Sequence, residues 1–292
     1  MPAKVLLLGA SGQLGRQIVA AAAAGRSVEI VPAWRTCPDS ERRFSLEDPA
    51  SISAIVDRFR PNHVILTAAA TNVDWCENNR RDAEILNTLA PLEAALSARR
   101  IGASMTFIST DYVFDGIDGP YPETATTRPL NVYGATKLAA EQAVLGAASD
   151  NLIIRTCQIF GFDPRRANFV VRLVDQLRDG RRVTARGDLF GTPTYAPDLA
   201  TRIIELTVRG SANVWHLAGE TFLSRFAFGR RIARAFALPE DAVVETSGDA
   251  TSSVTRPLRA GLKTVKPAPS DLGGWTSLDD SLAELAHLEV VA

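Results

Sequence analysis

Cysteine, histidine and methionine are scarce in this sequence, at three, three and two residues. Cys37, Cys76 and Cys157 stand far apart and form no CxxC pair. That excludes a disulfide framework and a thiolate zinc site, and it fits a reducing compartment. His63, His216 and His287 are equally dispersed, with no Ser/His/Asp or metal-ligand spacing, so no metal site is expected. His216 sits in an apolar strand and reads as a satisfied core residue. Long apolar runs are missing too. The longest, Ile18 to Ala24, is far too short to cross a bilayer. Met1-Pro-Ala-Lys4 leads directly into a strand-like run, with no secretory leader. Neither sign of charge prevails, with Lys+Arg 32 against Asp+Glu 33. This argues against nucleic acid and against an anionic membrane as partners. A cytoplasmic globular protein is expected, and 292 residues at 46% hydrophobic content suffice for one large α/β unit or two lobes.

What is present begins with strand, glycine turn and helix. Lys4 to Leu8 reads as a buried strand, Gly9-Ala-Ser-Gly12-Gln-Leu-Gly15 as the turn, and a helix runs on through Ala24. Glycines there let backbone approach a pyrophosphate, and the helix N-terminus offers N–H groups and positive dipole. The spacing is GxxGxxG, and its place at the first strand–helix turn gives it weight. A second strand, Ser27 to Ala33, ends at Trp34-Arg35. A carboxylate here would hold the ribose 2′-hydroxyl of NAD. A guanidinium suits a 2′-phosphate, which predicts NADP over NAD. Asp48-Pro49 opens a helix to Phe59. Val64 to Ala70 is a third strand running into Ala68-Ala69-Ala70, small enough for close approach of a cofactor. Arg81 to Arg99 reads as one helix containing Asn87. A fourth strand, Met105 to Ile108, delivers Ser109-Thr110 to its C-terminal end, and Asn151 to Arg155 is a fifth. Alternating strands and helices predict a doubly wound parallel sheet, with ligands at its C-terminal edge.

After Gly161 the alternation loosens. Helices are expected over Asn168–Arg178, Leu199–Val208, Phe226–Phe236 and Asp279–Leu288, with a turn at Asp188–Thr194 and a strand at Val214–Ala218. Glu245 to Ala268 is polar and punctuated by proline. This half reads as a smaller lobe packed on the first. Its basic clusters, Arg165-Arg166, Arg181-Arg182 and Arg230-Arg231 with Arg234, read as solvated faces, although one of them, or Arg256, would suit a substrate diphosphate.

Tyr133 and Lys137 lie four residues apart on the helix after the fourth strand, about one turn along one face. A phenol beside an ammonium is an acid/base unit, with the cation expected to lower the phenol pKa. Glycine turn, strand-end hydroxyl and YxxxK occur in order on the right elements. On them the chain resembles the extended branch of the short-chain dehydrogenase/reductase superfamily. STDYVFDG (Ser109 to Gly116), PYPET (Pro120 to Thr124), PLNVYGATK (Pro129 to Lys137) and GTPTYAPDLA (Gly191 to Ala200) are similar to signatures of the dTDP-4-dehydrorhamnose reductase family. AAATNVDWCE (Ala68 to Glu77) and WHLAG (Trp215 to Gly219) also fit.

The resemblance implies an α/β fold, a Rossmann-type doubly wound parallel sheet with a smaller C-terminal substrate-binding lobe. Residues 1–160 would bind NAD(P), and 161–292 would form the substrate lobe, with about 190–220 returning to the first domain. It implies an NADPH-dependent reduction, with NAD as the alternative cofactor, of the 4-keto group of a nucleotide-linked 6-deoxy sugar. Tyr133 would donate the proton, Lys137 hold the nicotinamide ribose, Thr110 orient the substrate oxygen, and Asn87 support the lysine through solvent. Gly9, Ser11, Gly12, Gln13, Leu14, Gly15, Arg35, Ser45, Leu46, Ala68, Ala69 and Ala70 would line the cofactor site with Tyr133 and Lys137. Asp111, Tyr112 and Gln158 would face the sugar, and a homodimer is the family's expected state. Three positions depart from the pattern: Gln158 stands for a sugar-facing tryptophan, Thr67 for an asparagine, and Ser45 for the aspartate that meets the adenine amino group. The alternatives are a reductase or epimerase of another nucleotide sugar, and an NADP-binding regulatory subunit without catalysis.

Overall fold

The computed structural model describes residues 2–25, 28–248, 254–266 and 273–291. In chain order the first elements are β1 (Ala3–Leu8), α1 (Gln13–Ala23), β2 (Val28–Ala33), α2 (Pro49–Phe59), β3 (His63–Leu66), α3 (Val73–Asn78), α4 (Arg80–Glu84) and α5 (Ala90–Arg100). There follow β4 (Ser104–Thr110), α6 (Val132–Ala147), β5 (Leu152–Thr156), β6 (Ile159–Phe160), α7 (Phe169–Arg178), β7 (Val183–Arg186), β8 (Phe190–Gly191) and β9 (Thr194–Tyr195). The chain closes with α8 (Ala196–Val208), β10 (Asn213–His216), β11 (Leu223–Ser224), α9 (Arg225–Ala235), β12 (Val243–Thr246) and α10 (Leu278–Val291). Ser27, the expected start of the second strand, lies outside the described residues, as do 249–253 and 267–268 of the polar stretch.

Six parallel strands form the main sheet, in the order β10-β5-β4-β3-β1-β2. Helices cover both faces, which is why these strands are almost continuously apolar. Successive side chains still part to opposite sides. Leu6, Leu8, Val64, Leu66 and Phe107 pack with Ile52, Val56, Ala94 and Val144 of α2, α5 and α6. Val5, Leu7, Ile65 and Ile154 pack with Leu14, Ile18, Leu199 and Ile203 of α1 and α8. β1 pairs with β2 on one edge and β3 on the other, so the winding reverses beside it. A crevice opens above the strand ends at such a reversal.

Two elements differ from the sequence expectation, and both differences shape that crevice. β3 stops at Leu66 instead of reaching Ala70. Thr67 turns its hydroxyl back to donate to the carbonyls of Leu8 and Gly9, at 3.2 Å each, tying the end of β3 to the glycine turn. The helix expected over Arg81–Arg99 is interrupted by a wide turn of π geometry at Ile85–Leu89. Pro91, just beyond it, has no N–H to give the carbonyl of Asn87 four residues back, which disfavours regular α geometry there. The short α3 was not anticipated. Asn72 caps it, accepting from the Trp75 N–H at 3.0 Å.

A second apolar core lies outside the sheet. Val170, Leu173, Val174 and Leu177 of α7 meet Phe228 and Ile232 of α9, Leu282 and Leu285 of α10, and the β7–β12 pair. α7 and α9 both begin at the crevice, since Phe169 and Arg225, their first residues, line it.

Candidate active site

The crevice is a cavity of about 840 Å³. At one end is the glycine turn. Gly9 has φ 106°, and a Cβ on it would stand 2.6 Å from the Ala68 nitrogen. A Cβ on Gly15 would meet the Gly9 carbonyl at 2.3 Å. Only glycine lets the turn fold flat against the first turn of α1 and the end of β3. The open N–H groups of α1, the small Ala68-Ala69-Ala70 run, and the exposed Arg35 beside Ser45 and Leu46 continue the same wall. A cradle that no side chain could enter, next to a helix N-terminus, fits a dinucleotide pyrophosphate.

In the middle of the cavity Thr110, Tyr133 and Lys137 come together. β4 carries Thr110 to its C-terminal end, and α6, capped by Asn131, which accepts from the Gly134 N–H at 2.9 Å, presents Tyr133 and Lys137. Thr110 lines the cavity beside Tyr133 and favours the ionised phenol. Lys137 is only 2% exposed; its Nζ donates to the Ile108 carbonyl at 2.7 Å and sits 3.9 Å from the Phe107 ring centre. Burial pulls this lysine down to about 7, against an upward pull from Glu141. Burial likewise pushes the phenol of Tyr133 up, opposed by Thr110 and reinforced by Asp111. This corrects the expectation that Lys137 acidifies Tyr133. The lysine Nζ is drawn toward β4, and burial keeps the phenol neutral.

Asn87 was expected to act on Lys137 through solvent. It is instead fully buried and does not line the cavity. Its Oδ1 accepts from the Ala70 N–H and its Nδ2 donates to the Ala70 carbonyl, both at 2.9 Å. The wide turn lets this one amide pair with both backbone groups of a single residue, so Asn87 positions the wall after β3. Beneath Lys137, Glu141 holds Arg155 in two bonds of 2.9 and 2.6 Å and receives the Ser109 hydroxyl.

The same cavity is lined by the three residues expected to face the sugar. Asp111 is 5% exposed and receives the Thr110 hydroxyl at 3.1 Å and the Cys157 thiol at 3.0 Å. Burial pushes its carboxyl up to about 6, against the lowering effect of those two donors. Tyr112 meets Tyr133 edge to face, with ring centres 5.8 Å apart. Its phenol is pushed up to about 12 by burial and by Asp111. Gln158 adopts a left-handed φ of 44° and lies against Gly191. Most of the basic clusters are engaged elsewhere. Arg166 binds Asp175 and Glu289, Arg181 binds Asp179, and Arg230 and Arg234 bind Glu240. Arg256 reaches the cavity but is tied to Asp74 at 2.6 Å, and Arg165 is tied to Asp163 at 3.3 Å. Arg172 and Arg225 also line the cavity and were not singled out from sequence. The available signal was the place of Arg225, a cation at the start of a helix, where the dipole disfavours it.

Comparison with known proteins accords with this geometry. The model of the RmlD substrate binding domain family matches residues 3–284. The chain belongs to this family. A dTDP-4-keto-6-deoxy-D-glucose reductase of Streptomyces niveus is 35% identical over 82% of this chain and 83% of its own. A dTDP-4-dehydrorhamnose reductase of Mycobacterium tuberculosis is 34% identical over 78% of this chain and 74% of its own. The crystal structure of a dTDP-4-dehydrorhamnose reductase from Bacillus anthracis in complex with NADP superposes with a TM-score of 0.86 at 26% identity, covering 99% of this chain and 100% of that one. The family's Rossmann-type sheet is thus the fold of this chain. Among the described residues no helix is long and apolar enough to cross a membrane.

Proposed function

We propose that this chain is an NADPH-dependent reductase of the 4-keto group of a dTDP-linked 6-deoxy sugar, converting dTDP-4-dehydrorhamnose to dTDP-L-rhamnose. The observation that carries it is the meeting of Thr110 and a neutral Tyr133 in one cavity with the glycine turn. The relatives' names support the substrate class, and the B. anthracis complex supports NADP.

Residues 1–160 are assigned to the cofactor and 161–292, apart from the returning α8 and β10, to the substrate. Gly9, Ser11, Gly12, Gln13, Leu14 and Gly15 would hold the pyrophosphate, Arg35 the 2′-phosphate, Ser45 and Leu46 the adenine, and Ala68, Ala69 and Ala70 the dinucleotide's flank. When bound, the nicotinamide supplies a hydride to the sugar C4. Lys137 would donate to the nicotinamide ribose hydroxyls, since its ammonium has three N–H donors and gives only one to the Ile108 carbonyl. Thr110, turning its hydroxyl from Asp111, would donate a hydrogen bond to the keto oxygen and orient it. Tyr133 transfers its proton to that oxygen as alkoxide character develops, a role for which a phenol held neutral by burial is in the right state. Asp111 accepts from a sugar hydroxyl, while Tyr112 and Gln158 border the ring.

The test follows NADPH absorbance with dTDP-4-dehydrorhamnose. Wild type should oxidise NADPH stoichiometrically, and Tyr133→Phe should lose on the order of 10²–10⁴ in kcat with NADPH affinity unchanged. Full activity in Tyr133→Phe would remove it from the proton-donor role. Tight NADPH binding without turnover of this or any related keto-sugar nucleotide would favour a non-catalytic regulatory subunit.

A further inference from the structure

Arg225 and Arg172 have no part in the chemistry above, yet they place two guanidinium groups on the cavity wall. Arg225 is the first residue of α9, directly after its cap Ser224, and Arg172 lies in the first turns of α7. Both are poor places for a cation, because the N-terminal end of a helix carries positive partial charge. Arg172 is also close enough to Arg225 for its charge to oppose that of Arg225. Burial and Arg172 together bring Arg225 down to about 10, the first effect being the larger. Among the described residues neither is bound to a carboxylate, in contrast to Arg165 and Arg256 on the same wall. Fold stability gives no reason for like charges at two helix starts. An anionic ligand does.

The position specifies which anion. Tyr112 stands edge to face with the proton donor Tyr133, and its phenol feels the charges of Arg256 and, after it, Arg225. Arg225, Tyr112 and Tyr133 thus border one and the same cavity. In a 4-keto pyranosyl nucleotide the reacting carbon and the anomeric carbon that bears the diphosphate are at opposite ends of the ring. A sugar whose keto oxygen meets Tyr133 therefore directs its phosphates away from that residue. Arg225 is also stacked, its guanidinium carbon 3.8 Å from the Phe169 ring centre. Stacking fixes the plane of the fork and leaves its N–H edge for paired bonds to phosphate oxygens.

We propose that Arg225, assisted by Arg172, grips the diphosphate of a nucleoside-diphosphate sugar. This rests on the nucleotide-sugar reading above and assigns residues to it. The experiment titrates dTDP calorimetrically into protein saturated with NADPH, so that dTDP cannot enter the cofactor's own pyrophosphate cradle. Arg225→Gln should weaken dTDP by about 10- to 100-fold, the scale of a lost charge-assisted pair. Arg225→Lys should recover part of that loss, with NADPH affinity and melting temperature unchanged in both. Arg172→Gln should weaken dTDP by a smaller factor, with less dependence on salt than wild type. Equal dTDP affinity in wild type and Arg225→Gln overturns the inference, even where wild type reduces the keto-sugar. Failure of wild type to bind dTDP overturns it too. Arg225-dependent dTDP binding without keto-sugar turnover supports it and counts against the reductase reading alone.

Discussion

Asp111 shows how a single side chain ties function to stability. Its carboxyl is buried beside Thr110 and Cys157, and its pKa rises from 3.8 to about 6. Between those values the folded chain binds a proton that the unfolded chain has lost. Stability therefore falls as pH climbs through the window, and the penalty is complete above about 6. A shift of roughly two units corresponds to about 3 kcal/mol. Asp111→Asn should stabilise the protein by about 1–3 kcal/mol at pH 7, with the gain vanishing below pH 4 in denaturant melts. If the carboxylate holds a sugar hydroxyl, kcat/KM of wild type should also fall as pH drops below about 6, and the variant should lack that limb. A substitution that stabilises at pH 7 while reducing kcat/KM would mark Asp111 as a residue kept for binding. A pH-independent stability difference would contradict the burial argument.

At the scale of elements, the interrupted helix from α4 to α5 governs the cavity wall after β3. Asn87 satisfies both backbone groups of Ala70, and among the described residues that N–H makes no other hydrogen bond. Asn87→Ala would leave the half-buried Ala70 N–H without its partner and its carbonyl with the Cys76 thiol alone, a lost partner costing about 1–3 kcal/mol. We expect a drop of about 2–4 kcal/mol in unfolding free energy, with NADPH binding weakened more than dTDP binding because the wall after β3 loses its anchor. Equal loss of both ligands, or no loss, would show that Asn87 does not act through Ala70. Much of this element was readable beforehand, since its residues are helical at both ends. The wide turn was not, although Pro91 marked the place. Helical periodicity records which face is buried, and one added residue in a turn barely disturbs it.

Over the whole molecule, His216 fastens the loops beside the substrate end to the sheet. It sits on β10 at 1% exposure. Its Nδ1 faces the carbonyls of Tyr121 and Lys263 at 3.0 and 3.2 Å, and its backbone N–H donates to Glu123 at 3.1 Å. Nε2 lies 3.4 Å from an Arg155 nitrogen and so accepts, which places the ring proton on Nδ1. Burial, with Arg155 adding to it and Glu123 opposing it, pushes the imidazole down to about 4. Here the unfolded chain binds the extra proton, so stability is present above about 6.5 and is lost as pH falls toward 4. That slope opposes the one from Asp111. His216→Gln, which keeps a donor and an acceptor, should remove about 2–3 kcal/mol of the acid loss between those limits, read as a flatter dependence of melting on pH. An unchanged slope would place the acid sensitivity elsewhere.

The sequence by itself determined the strand–helix alternation, the glycine turn and the Thr110, Tyr133 and Lys137 set. Each is written in local chemistry: apolar runs, residues without side chains, and two groups one helical turn apart. It also carried the resemblance from which the substrate class was expected. The tertiary structure decided what depends on burial and on distant partners. It set Tyr133 neutral, turned Lys137 toward β4, gave Asn87 to Ala70, and separated the paired arginines from Arg172 and Arg225. Those outcomes rest on contacts between residues far apart in the chain and on the loss of solvent around them. Neither quantity is a property of a residue and its sequence neighbours.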